Sequence, residues 1–235
     1  MKKVSLFLSE VFFCITAVFA VTSSGRASEI MNDFYSGKAV NIAEAAALVE
    51  TSACGTDLNE YIKNCTVLST LLVSDTDRTY VRLLTDFEKA SRNKIYTSKN
   101  TETIALYAEY LYSKLSWEKS SFTIIEQLPV WYAKNVLLNN DKKSLLDMAV
   151  WYISAANDTT LLWNSFIKKQ EYLIDDLDLS DIDRFNYYLS YSIFYMKMPD
   201  TKKGLSYLAR AEQLFPDSIQ AEIIEENYKR GRFGW

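Results

Sequence analysis

The chain has 235 residues, 49% hydrophobic and 14% aromatic, with only 6 Gly, 3 Pro and no histidine. That is enough apolar material for one substantial core or a stack of helices, and too few turn residues for a β architecture. The formal charge of −4, with its basic residues scattered, argues against nucleic acid and anionic membranes as partners, and the missing histidine excludes Ser-His-Asp and Cys-His sites, His-ligated zinc and a His general base.

Residues 1–27 have the pattern of a secretory signal peptide. Lys2 and Lys3 precede an apolar run over 11–20 that is too short to span a bilayer. Val18-Phe19-Ala20 offers a small-x-small cleavage site, and Ala27 offers a second. Phe13 directly before Cys14 is too bulky for a lipoprotein box. The expectation is a periplasmic or secreted protein whose mature chain has no transmembrane span.

Residues 28–38 read as a lead-in and 42–49 as an Ala-rich helix. Gly55-Thr56-Asp57 breaks that helix, and Asp57 is placed to cap the next, which runs to about Leu72. Cys54 and Cys65 remain after signal removal, so a disulfide is the natural proposal for an oxidising compartment. With Asp57 as the cap, however, Cys65 lies about two turns, on the order of 12 Å, inside the helix. A bridge would need the loop to extend to about Asn59; the alternative is two buried free thiols.

Ser74 and Asp77 can form a capping box for a helix to about Lys89, followed by a polar loop over 90–99. Candidate caps then recur at Asn100, Asp141, Ser180 and Asp217, about 40 residues apart. The intervals hold helix pairs at 102–115 with 120–138, 142–156 with 159–173, and 185–196 with 202–215. A last helix covers 219–228. A repeating helix pair of this length is the signature of an α-solenoid, in which each unit buries its face against its neighbours. The layout divides the chain into an N-terminal helical segment (28–99) and a repeat region (100–235) within one continuous domain.

Tyr188, Tyr191, Ser192 and Tyr195, followed by Gly204, Leu208, Ala211 and Pro216, resemble a tetratricopeptide (TPR) repeat in spacing. Tyr191, Ser192, Gly204 and Leu208 stand where the family has Leu, Gly, Ala and an aromatic residue. The upstream pairs keep the layout without the motif. The resemblance implies an all-α, TPR-like right-handed solenoid of about nine helices. By analogy, the first helix of the repeat lines a concave face, marking Asn186, Leu189, Ser190, Ile193 and Met196 as an exposed surface for a protein or peptide of the cell envelope. The three tyrosines then serve repeat packing. Exported TPR-like proteins include the TRAP-transporter-associated T-component family, which implies the alternative of a small-ligand accessory protein with an aromatic-lined cavity.

Other chemistry is weakly signalled. Asp176, Asp178 and Ser180 alternate like calcium ligands, but Asp181 and Tyr187 occupy the places of the required Gly and Glu. The acidic run 175–183 therefore reads as a solvated loop favouring the following helix N-terminus. Glu109, Glu126 and the aspartates of 175–183 are candidates for paired carboxylates, yet nothing in the sequence fixes their separation. Trp117, Trp131, Trp151 and Trp163 read as core, with a groove for an apolar ligand or extended peptide as the alternative. The basic tail 229–235 ends on Trp235, either frayed or available for docking. The sequence expectation is a non-enzymatic scaffold or adaptor with no catalytic residues, cofactor or metal.

Overall fold

The computed structural model describes residues 25–72, 78–115, 117–118, 122–155, 161–198 and 200–233. These residues are helical, without β-strands. The helices are α1 (Arg26–Tyr35), α2 (Ile42–Ala53), α3 (Leu58–Leu71), α4 (Arg78–Thr97), α5 (Thr101–Lys114), α6 (Phe122–Asn139), α7 (Lys142–Ala155), α8 (Leu161–Gln170), α9 (Leu173–Asp176), α10 (Asp181–Lys197), α11 (Thr201–Leu214) and α12 (Ile219–Lys229). None is long and apolar enough to cross a membrane.

Caps set most of the boundaries. Asp57 accepts from the amides of Asn59 (2.9 Å) and Glu60 (3.1 Å), Asn100 from Thr103 (2.9 Å), and Asp141 from Ser144 (2.8 Å). Ser180 Oγ accepts from the Asp183 amide (3.1 Å) and donates to its carboxylate (2.8 Å). Each satisfies an amide that the first helical turn leaves without a partner. At α12 the cap is Ser218, one residue beyond the expected Asp217, with Oγ accepting from the Ala221 amide. The expected box at Ser74 and Asp77 falls outside the described residues.

The described residues hold twelve helices against about nine expected, and two of the additional ones have a plain origin. The expected lead-in is α1, and the expected helix at 159–173 divides into α8 and the single turn α9. The polar stretch 90–99 is not a loop either. Leu84, Phe87, Ser91 and Ile95 recur at helical spacing and are buried, so α4 continues to Thr97 beneath a polar outer face.

Consecutive helices pack as hairpins, α5 with α6, α7 with α8 and α10 with α11, while α3 lies against α5 and α7 against α10. Helix α10 is buried on all sides: the side chains from Phe185 to Met196 are all removed from solvent. Helix α11 comes close because Gly204 lies against it. A Cβ there would stand 2.8 Å from Met196 Cγ and 3.0 Å from both Met196 N and Ser192 O. Leu208 and Ala211 share this buried face, whereas Ala209 is exposed.

The first described helix, α1, packs against α10 and the turn before α12. Tyr35 of α1 is fully buried against Phe185 (ring centroids 5.7 Å) and Phe215 (6.0 Å), and Asn186 Nδ2 donates to its hydroxyl at 3.3 Å. Gly37, at φ +70°, passes close to the Asp217 carbonyl, where a Cβ would stand at 2.7 Å. Cys54 and Cys65 are both free, Cys54 exposed and Cys65 buried. The Asp57 cap explains this, because it starts α3 early enough to carry Cys65 two turns away from the α2 terminus.

Gly204→Val tests the close approach of α10 and α11. A branched side chain must displace backbone atoms of α10, so the variant should lose about 2 kcal/mol in urea denaturation. Unchanged stability would show that the two helices can separate without cost.

Candidate functional site

The residues expected on a concave binding face are not on a surface. Asn186 is 5% exposed, Leu189, Ser190 and Ile193 are each 1% exposed, and Met196 is fully buried. Helix α1 supplies part of the cover through the contact of Tyr35 with Asn186 and Phe185. The tyrosine face is buried as well. Tyr188, Tyr191 and Tyr195 pack around Tyr207 of α11, with Tyr195 and Tyr207 stacked at 6.0 Å and 3°. Glu171, between α8 and α9, accepts from Tyr195 (2.5 Å), Tyr207 and Lys203, so that one carboxylate ties this hairpin to the preceding pair. Despite burial, these three donors hold the Glu171 carboxyl below its ordinary pKa.

The acidic run behaves as a set of surface and capping contacts. Asp175 pairs with Arg210 (2.5 Å) and Asp176 with Lys142 (3.5 Å), while Asp183 turns inward. Among the described residues, no group of three or more His, Cys, Asp or Glu is placed to hold a metal ion.

Among the described residues, an accessible concavity lies between α4 and α6, floored by α5. Thr85, Glu88, Lys89, Arg92 and Tyr96 form a stripe along α4 at helical spacing, and Ile124, Gln127, Val130, Trp131 and Lys134 face it from α6. Tyr107, Leu111 and Lys114 of α5 form the floor. Two adjoining hollows, of about 610 Å³ and 450 Å³, share Tyr96 and Gln127. The cleft is open where Lys89, Arg92, Glu126 and Val130 meet solvent.

Its two ends differ. At one, Lys114 is buried and ion-paired with Glu88 (2.5 Å) and Glu118 (2.8 Å), lies over the rings of Tyr110 and Trp117, and shares Glu88 with the Tyr110 hydroxyl (2.7 Å). At the other, Tyr96, Tyr107 and Trp131 form an edge-to-face cluster with centroids 4.9–6.3 Å apart. Arg92 lies 5.7 Å over the Tyr96 ring and Lys134 4.6 Å over Trp131, with Lys134 Nζ donating to the Tyr96 carbonyl at 3.2 Å. Desolvation lowers the pKa of Lys134. Burial holds the Tyr107 phenol protonated.

A second charge cluster has its carboxylates buried, while the Lys143 side chain is 25% exposed. Lys143 of α7 reaches Glu109 of α5 (3.1 Å), Asp147 of α7 (3.6 Å) and Asp183 of α10 (3.6 Å), and Tyr187 donates to Asp147 at 2.5 Å. Two of the candidate carboxylates, Glu109 and Asp183, thus converge on one ammonium, but both are buried. Glu109 Oε2, Asp183 Oδ1 and the Tyr132 hydroxyl have no hydrogen-bond partner. Three carboxylates on one lysine leave excess negative charge in a poorly solvated place. Burial pushes the Glu109 carboxyl up to about 8 and Asp147 to about 6, with Lys143 opposing in both cases. Burial works to lower the Lys143 pKa, but Asp147, Asp183 and Glu109 together hold it well above its ordinary value.

Of the candidates read from the sequence, Trp131 and Glu126 line the cleft, Trp117 stands at the Lys114 end, Trp151 packs on Tyr152 (4.7 Å), and the Trp163 side chain and Trp235 lie outside the described residues. Sequence reading missed Glu88, Arg92, Tyr96, Lys114 and Lys134. Reading 90–99 as a loop concealed the Glu88–Arg92–Tyr96 stripe, which recurs every four residues and was the available signal. Compared with protein families, curated proteins and solved structures, the chain has no significant match.

The Lys143 cluster makes stability depend on pH. Glu109 and Asp147 have folded pKa values above their ordinary 4.5 and 3.8, so the folded state binds more protons than the unfolded. The stabilisation is full below those ordinary values and is lost as pH rises through about 6 and then about 8. Glu109→Gln mimics the protonated acid. It should match the parent near pH 4 and exceed its stability near pH 9, the gap growing between pH 4.5 and about 8 by up to about 1.4 kcal/mol per pH unit. Parallel denaturation curves across that range would show that Glu109 stays ionised when folded.

Proposed function

We propose that this chain is a non-enzymatic, TPR-like helical scaffold that binds a peptide or protein segment in the cleft between α4 and α6. The observation that carries the reading is the cleft itself. It is an open groove between two parallel stripes of side chains, with an aromatic cluster at one end and exposed apolar residues on its rim. Val130 is 65% and Tyr96 44% exposed, and Leu137 continues the apolar edge of α6 at 84%. Large apolar side chains left in solvent at a concave surface favour a partner that covers them.

The small-ligand alternative, a TRAP-transporter-associated accessory, calls for an enclosed aromatic chamber. An open cleft of two connected hollows favours an elongated occupant instead. Catalysis by paired carboxylates has less support, because the converging acids Glu109 and Asp183 are sealed in the core.

Export belongs to the same proposal, with work in the periplasm or outside the cell. Processing after Ala20 keeps α1 whole. Processing after Ala27 would remove Arg26, which pairs with Glu29 (2.7 Å) and Glu44 (2.6 Å), and so fits a stable mature chain less well.

Selection of displayed random peptides on the folded chain tests the cleft. Selected peptides should bind with micromolar dissociation constants and weaken by about tenfold or more on Val130→Asp or Tyr96→Ser. Both positions are exposed enough for the variants to fold. Peptides that bind all three proteins equally would place the binding site elsewhere.

A further inference from the structure

We propose that the segment taken by this cleft is acidic and apolar, with carboxylates for Arg92 and Lys134 and a large apolar side chain against Tyr96 and Val130; this rests on the peptide-binding reading.

The charge pattern selects this occupant. The ammonium of Lys114 already has two carboxylates, Glu88 and Glu118, so its end of the cleft offers an incoming charge little. Lys89, Arg92 and Lys134 have no carboxylate within ion-pair distance among the described residues. Lys134 shares its hollow with one acid, Glu126, to which it is not paired, while Lys89 and Arg92 line the other hollow, whose acids Glu88 and Glu118 are taken by Lys114.

Lys134 is the most telling of them. Its ammonium has three donors, lies against the face of Trp131, and is given one carbonyl, that of Tyr96. Packing on the ring takes away part of its hydration without supplying a counter-charge. Arg92 lies over Tyr96, the ring next to Trp131, and is exposed. One carboxylate of the segment can take two hydrogen bonds from the guanidinium and another can pair with the ammonium, in a setting where adjacent rings reduce solvent screening.

Size and sign narrow the occupant further. Two connected hollows of about 610 Å³ and 450 Å³ hold several side chains, more than one small acid would fill. A basic segment would meet three like charges. An apolar neutral segment would leave Lys134 partly desolvated and unpaired. Carboxylates beside an apolar side chain answer both parts of the surface at once.

The test uses three labelled peptides of equal length and equal Leu and Trp content, with Glu, Gln or Lys at the remaining positions, followed by fluorescence anisotropy on the full chain. The Glu peptide should bind about tenfold tighter than the Gln peptide at low ionic strength and the Lys peptide weakest, with the gaps shrinking as salt is added. Arg92→Gln combined with Lys134→Gln should bring the Glu peptide to the affinity of the Gln peptide while circular dichroism stays unchanged. Equal binding of Glu and Gln peptides, a preference for Lys, or a Glu preference that survives in the double variant overturns the charge assignment and leaves the cleft a peptide site. Failure of all three peptides to bind, or binding that Val130→Asp does not weaken, overturns the peptide-binding reading as well.

Discussion

Helix α10 must be buried on every side although it is rich in groups that require hydrogen bonds, and its neighbours are positioned by that requirement. An unpaired polar group in such a place costs on the order of 1–3 kcal/mol. Three of its four phenols therefore reach a partner on another part of the chain. Tyr187 donates to Asp147 on α7, Tyr191 to the Ile167 carbonyl on α8, and Tyr195 to Glu171 at the start of α9. Asn186 finds Tyr35 on α1, while Ser190 bonds back to the Asn186 carbonyl within its own helix. Four elements are thereby held in register around one, and apolar contact alone would specify that arrangement less sharply.

The same requirement explains why an inner face is not open at α10. In an extended stack of helix pairs, the first helix of each pair keeps one side free. Here the chain folds its own N-terminal helix across that side, and a buried tyrosine completes the aromatic packing with Phe185 and Phe215. The glycine turn after α1 brings the backbone against the turn before α12, which leaves α1 little freedom to lie elsewhere. Concavity appears instead where packing is thin. Helix α4 makes limited contact with α5 and leaves the groove beside α6.

Local chemistry was legible in the sequence, and tertiary burial was not. Asp57, Asn100, Asp141 and Ser180 could be assigned as caps because capping depends on a few adjacent residues. The hairpin of α10 and α11 was readable for a similar reason, since Gly204, Leu208 and Ala211 mark a face that needs a close neighbour. Which side of α10 would meet solvent depended on α1, some 150 residues away in the chain. No periodicity within α10 could reveal it. The polar outer residues of α4 hid its helix and, with it, one wall of the cleft. Glu109 and Asp183 were visible as acids, but their meeting at Lys143 required the packing of α5, α7 and α10.

The two charge clusters make different demands on their surroundings. Around Lys143, three buried acids crowd one half-buried cation, and the imbalance can be relieved from within, because Glu109 can keep a proton. That cluster is complete without a partner, and its consequence is a dependence of stability on pH. Around Tyr96 and Trp131 the imbalance has the opposite sign and no such internal remedy. An arginine does not release its proton in this range, and Lys134 would have to lose one against a small desolvation. Water screens these cations while the cleft is empty, but not fully where a ring covers one face. The remaining way to balance them is carboxylates brought from outside, and the exposed apolar rim beside them sets what those carboxylates must carry with them.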